Sequence, residues 1–171
     1  GAFYTEDFFF PFLTFKVVYD CGTDSGSIKS LNKYVDTSFQ PKEKIDIIFV
    51  SHFHRDHING LEHLLLNYIV DYVFIPQYEI ADTFLNFMCT SRDLNSFMAK
   101  ITLDPVKAIK SISESTKVIF VEKYNLDNEN TKYTLNMLTD GCCIQSGDKK
   151  KKKKYRWFYV PVNYNKFYNT T

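Results

Sequence analysis

Three of the chain's four histidines fall within positions 52 to 57, in the run Ser51-His52-Phe53-His54-Arg55-Asp56-His57. Neutral imidazole is the commonest nitrogen ligand for zinc, and carboxylate is its natural oxygen partner. His52 and His54 are two apart, so in an extended segment both side chains leave the same side of the backbone. Asp56 and His57 come where the chain turns into a helix, and can address a second position close by. Two metals roughly 3.5–4 Å apart, with a water or hydroxide held between them, need this arrangement. The expectation is a metal loop over residues 51–60, with His52 and His54 on a first ion and Asp56 and His57 on a second. Asp56 is then also the catalytic carboxylate, because it orients the attacking water. The competing reading is a histidine-rich surface loop, which the clustering of these residues disfavours.

The elements that must hold this loop alternate between strand and helix. Phe12 to Tyr19 is rich in aromatic and β-branched residues and reads as a strand. Gly22 to Ser27 is a turn, and Ser27 can cap a helix running through Val35. Ile45 to Val50 is an almost continuous apolar strand, as expected where a sheet is covered on both faces. After His57, the residues Leu61, Leu64, Leu65 and Tyr68 recur at helical spacing. Asp71 to Ile75 is a strand that Pro76 stops. This strand–helix–strand order predicts an α/β unit with right-handed crossovers. Residues 79 to 101 read as one helix, whose apolar stripe is core and not a binding face. Asp104-Pro105 starts another helix, reaching about Ser113. Lys117 to Val121 is the next strand, Tyr124 to Thr131 a loop, and Tyr133 to Ile144 a hairpin turning at Asp140-Gly141.

The motif resembles the signature of the metallo-β-lactamase superfamily, His-x-His-x-Asp-His after a buried strand. Val18-Tyr19-Asp20-Cys21-Gly22 is similar to that family's early strand ending in Asp-x-Gly, and His57-Ile58-Asn59-Gly60 to its continuation. The resemblance covers residues 12 to about 76, and its details look most like the hydrolase domain of DNA-uptake channel proteins. Some stand-alone bacterial relatives accompany phage-defence genes. The resemblance implies an αββα sandwich, two zinc ions (manganese in some relatives) and hydrolysis at the metal-bound water. It also implies a later histidine for the first metal, a bridging aspartate and a last histidine. No histidine follows His63. The expectation is therefore one domain over 1–171 that holds mainly the N-terminal half of such a sandwich, or a homologue that has lost its second half. Gly147-Asp148 is a weak match to the pair carrying the bridging carboxylate. Asp20 is expected to orient a ligand histidine by accepting its free N–H, with a plain turn aspartate before Gly22 as the competing reading. His63 is expected on the helix surface.

Composition bounds the rest. With 171 residues, 44% hydrophobic and 17% aromatic, the chain can build a core and is not of the disordered class. A net charge of +1 sets up no strong field toward nucleic acid or membrane. Cys21, Cys89, Cys142 and Cys143 have no framework spacing and read as reduced thiols in a cytoplasmic protein. No segment reaches the roughly 18 apolar residues of a membrane span, and Phe8 to Leu13 reads as a strand or hairpin arm. Lys149 to Lys154, followed by Tyr155-Arg156-Trp157-Phe158-Tyr159, could track a nucleic-acid backbone. A solvated turn between strands accounts for it better.

The function expected from these readings is a dinuclear zinc hydrolase acting on a phosphodiester such as nucleic acid. The alternatives are a small-molecule ester, thioester or lactam hydrolase, and a non-catalytic scaffold or regulatory subunit. The last would serve a larger assembly with a partner chain, phage defence included.

Overall fold

A computed structural model describes residues 2–90, 93–122, 139–141 and 143–145. Its framework is a six-stranded mixed sheet whose spatial order follows the chain. The strands are β1 (Ala2–Phe10), β2 (Leu13–Gly22), β3 (Lys44–Phe49), β4 (Ile69–Pro76), β5 (Lys117–Glu122) and β6 (Cys143–Gln145). β1 and β2 form an antiparallel hairpin, and every later neighbour pair is parallel. The arm expected around Phe8 to Leu13 is the tip of this hairpin. Parallel neighbours need crossover connections, supplied by α1 (Ile28–Ser38), α2 (Arg55–Ile58), α3 (Leu61–Asn67), α4 (Ile80–Thr90), α5 (Phe97–Leu103) and α6 (Pro105–Lys110).

Crossovers of one hand between successive parallel strands deliver their helices to one face. Leu31 and Val35 of α1, Ile58 of α2, Leu61, Leu64 and Leu65 of α3, Ile101 of α5 and Ile109 of α6 duly share one core with Val18, Ile48, Val73 and Val118. The opposite face carries a separate cluster of strand residues, Val17, Ile47, Phe74, Ile119 and Val121. There Tyr4, Tyr19, Phe49 and Phe74 lie in register across β1 to β4. Their ring centroids are 5.7, 5.4 and 5.1 Å apart in turn, spacings at which aromatic pairs attract.

Capping follows the local chemistry. The Ser27 side chain accepts from the Ser30 amide at the start of α1, and Asp104 accepts from the Lys107 amide at the start of α6, with Pro105 in its first turn. One expectation is corrected. The single helix over 79–101 is two helices, because Asp93 accepts from the Asn95 amide and Ser96 from the Ala99 amide. Short polar side chains that bind nearby amides end one helix and cap the next. Cys143–Gln145 is a short strand that pairs parallel to β5. The other arm of the expected hairpin, Tyr133 to Leu138, and the Lys149–Lys154 run lie outside the described residues. The fold is thus a mixed α/β sheet with helices, and the second sheet of a sandwich is not among the described residues.

Candidate functional site

The histidine loop runs from the C-terminal end of β3 to the first turn of α2. Open α/β sheets bind ligands at this end of their parallel strands, because loops from neighbouring strands converge there. Val50 is still tied to β4 through its amide, which donates to the Phe74 carbonyl at 2.9 Å. Phe53 turns inward, 2% exposed, and anchors the loop in the helix-side core. Its flanking histidines are thereby left on the polar side.

β2 supplies the other wall. Asp20 adopts a left-handed backbone conformation, φ +53°, which is uncommon away from glycine and which aspartate tolerates better than most residues. This turns its carboxylate, 8% exposed, across to the loop. Oδ1 accepts from the Ser51 amide at 2.7 Å, and Oδ2 from the Ser51 hydroxyl at 2.6 Å. His57 Nδ1 also meets Oδ2, at 2.8 Å. Two residues on, Gly22 lets the backbones touch. A Cβ there would lie 2.3 Å from the Asp56 carbonyl carbon and 2.4 Å from the His57 nitrogen. Behind it, the Gly60 amide donates to the Cys21 carbonyl at 2.8 Å. Asn59 clamps Thr23 from both sides, accepting from its amide and donating to its carbonyl. The Cys21 thiol below is pushed up to about 12 by burial and by the Asp20 charge, so it stays protonated.

The imidazoles stack on this base. His52 lies 3.8 Å from His57 and 4.5 Å from His54, ring centre to ring centre. Ser51 Oγ sits 2.9 Å from His52 Nδ1 and 3.2 Å from His57 Nδ1. Asp56 Oδ2 comes 3.3 Å from His57 Nε2. Burial lowers the His52 pKa below 6.5, and the neighbouring His57 and His54 add to the effect, so this ring is neutral near neutral pH. Tyr78 packs its ring on Phe53 at 5.5 Å. Its hydroxyl is raised to about 12, chiefly by burial.

All four loop residues, His52, His54, Asp56 and His57, are therefore brought together with Asp20, whose carboxylate lies 2.8 Å from His57 Nδ1. Their division into two metal positions is not seen. His57 turns back to Asp20 and against His52, and among the described residues no group of three or more histidine, cysteine, aspartate or glutamate side chains is arranged to hold a metal ion. No chemical step is routed through a metal ion. Asp148 lies outside the described residues. His63 is away from the site, on α3, bound to Asp36 of α1 at 2.7 Å. Sequence reasoning quoted Ser51 and Gly22 within their motifs but gave neither a role. The hydroxyl and the absent side chain act through partners about thirty positions away, which no local pattern identifies.

Fold and site together define a mixed α/β protein with an imidazole–carboxylate cluster at the strand ends. A family model for the anti-Pycsar protein Apyc1 matches residues 2–159, and the chain belongs to that family. No curated protein and no solved structure matches it. This finding corrects the resemblance to the metallo-β-lactamase superfamily and its DNA-uptake branch, since the matching family is a different one. It also replaces the dinuclear zinc hydrolase of nucleic acid with a phage-defence-related protein, closer to the expected alternatives. The error had a physical source: four side chains within six positions establish a local arrangement, and the rest of the chain decides what it serves. Among the described residues no helix is long and apolar enough to cross a membrane.

Proposed function

We propose that this chain counteracts a phage-defence system of the Pycsar kind, and that its His52–His54–Asp56–His57–Asp20 cluster does so by acting on a small molecule. The family match over residues 2–159 carries the first part of the reading. The second is supported by the cluster's place at the strand ends, by a neutral His52 suited to accepting a proton near pH 7, and by an adjoining groove. That groove, about 330 Å³, shares Gly22 with the site and is lined further by Thr23, Ser25, Ser27 and Tyr34. Its hydroxyls suit a compact polar ligand better than a flat macromolecular surface. Hydrolysis of an ester-type bond is the activity proposed for it.

Plaque formation on a bacterial host carrying a Pycsar system, with the chain co-expressed, tests the reading. The wild-type chain is expected to restore plaques and Asp56→Ala to abolish that effect at unchanged protein level. Equal restoration by both would establish a non-catalytic scaffold instead, and no restoration by the wild type would overturn the counter-defence role. Elemental analysis of the purified chain addresses the zinc and manganese expectation, on which no step of this reading depends.

A further inference from the structure

The apolar stripe predicted for residues 79 to 101 does not all enter the core. On α4 the residues Ile80, Ala81, Phe84, Leu85 and Met88 face outward, and the four large ones are exposed, from 59% at Phe84 to 90% at Ile80. The half-buried residues of the same helix are Asp82, Thr83, Asn86 and Phe87. At about 100° per residue the five exposed positions fill one continuous arc, and Asp82, Thr83 and Asn86 fall on the other side. An ordinary surface helix is built the other way round, with its apolar stripe inward and its polar arc in water. The next helix, α5, follows that ordinary pattern and buries Phe97, Ala99 and Ile101. An exposed apolar stripe on a helix turned inside out marks an interaction surface.

We propose that the exposed stripe of α4 docks on the same stripe of a second copy of this chain, the two helices running antiparallel about a two-fold axis. Ile80, Phe84 and Met88 are spaced by four and form one ridge, the kind that interdigitates with its equivalent in the commonest helix packing. A two-fold axis near Phe84 sets Ile80 of one protomer against Met88 of the partner subunit and the two Phe84 rings against each other. A patch that is its own complement closes the assembly at two. Charge agrees with this occupant. The one charged residue of the helix is Asp82, on the inward side, so self-pairing brings no like charges together and buries no unpaired charge. Area agrees as well. Four large side chains exposed to this extent present on the order of 500 Å² per protomer. The pair then buries about 1,000 Å², which reaches the lower bound of a specific interface, so association in the micromolar range is expected. The inference goes beyond the proposed function and does not rest on it.

Sedimentation equilibrium of the full chain over roughly 1 to 100 μM reads its mass directly. The wild type is expected to pass from the mass of one chain toward that of two. Phe84→Glu and Phe84→Lys should each hold the mass at one chain across the range, with a far-UV circular dichroism spectrum matching the wild type at the lowest concentration. Because the axis brings the two Phe84 positions together, an equimolar mixture of the Glu and Lys variants should recover the two-chain mass. Neither variant does so alone, and misfolded chains would not do so together. Phe12→Lys, at the exposed tip of the β1–β2 hairpin, should leave the dimer unchanged. A wild type that stays monomeric throughout overturns the inference and leaves the stripe to a different protein or to a lipid surface. So does a dimer that persists in both Phe84 variants, or one that Phe12→Lys dissociates, since each puts the interface elsewhere. A mixture of the two Phe84 variants that remains monomeric overturns the antiparallel pairing about that residue.

Discussion

Two imidazole–carboxylate pairs of nearly equal length sit in this molecule. His57 meets Asp20 at 2.8 Å, and His63 meets Asp36 at 2.7 Å. The first pair lies where β2 and the loop after β3 converge, its carboxylate almost buried and shared with Ser51. Two further histidines and Asp56 stand against it. The second joins the surfaces of α1 and α3, where Asp36 is half exposed and also accepts from the Tyr68 hydroxyl. That pair is a strut between two helices. The contact is thus common to both, and what separates a site from a strut is convergence. Several groups from distant parts of the chain are held in one place, where burial and the neighbouring imidazoles lower the pKa of His52.

Gly22→Ala should break the comparison at its most sensitive point. The new Cβ meets backbone atoms of Asp56 and His57, which have no rotamer to escape into. Overpacking of this kind costs about 3 kcal/mol at the upper end of its usual range. We expect a loss of that size in urea unfolding, together with loss of plaque restoration. Unchanged stability and activity would mean that β2 does not fix the loop.

Acid sharpens the comparison. Burial holds the His52 pKa below its ordinary 6.5. The folded protein therefore binds this proton less readily than the unfolded chain does, and the contribution to stability is complete above pH 6.5. It is lost as pH falls from there through the lower folded value. The Asp36 pKa is lowered too, but for a carboxyl group this favours the charged form. Its hydrogen bond from His63, aided by that from Tyr68, lowers its pKa below 3.8. The strut's contribution is therefore present above pH 3.8 and disappears only in stronger acid. Stability of the wild type should begin to fall below pH 6.5, and His52→Gln should flatten that limb without touching the one below pH 3.8. An unaltered profile in His52→Gln would detach the site from the acid response.

The smallest effect belongs to the strut. His63→Ala removes one solvent-accessible pair, worth below about 1 kcal/mol, and should leave plaque restoration intact. A loss of activity in a fully folded His63→Ala variant would erase the distinction between the two pairs.

Much of the frame was legible without coordinates, because it is written in neighbours. The apolar run at Ile45 to Val50, the caps at Ser27 and Asp104 and the spacing of Leu61, Leu64 and Leu65 are interactions within a turn or a strand. They became β3, the starts of α1 and α6, and the buried side of α3. The helix over 79–101 was misjudged for a similarly local reason, since apolar spacing continued across Asp93 and Ser96 while their side chains took amides the helix needed. The loop residues themselves could be named from their types alone.

Composition, the strand–helix alternation and the identity of the histidine–aspartate loop were determined by the sequence itself, through contacts a few positions long. The left-handed turn at Asp20, the backbone contact allowed by Gly22 and the hydrogen bonds from Ser51 to Asp20 were decided only by tertiary structure. Each joins residues 31 to 37 positions apart or the strand ends that carry them. Such contacts exist only once β2 and β3 pair in parallel and bring their C-terminal ends side by side.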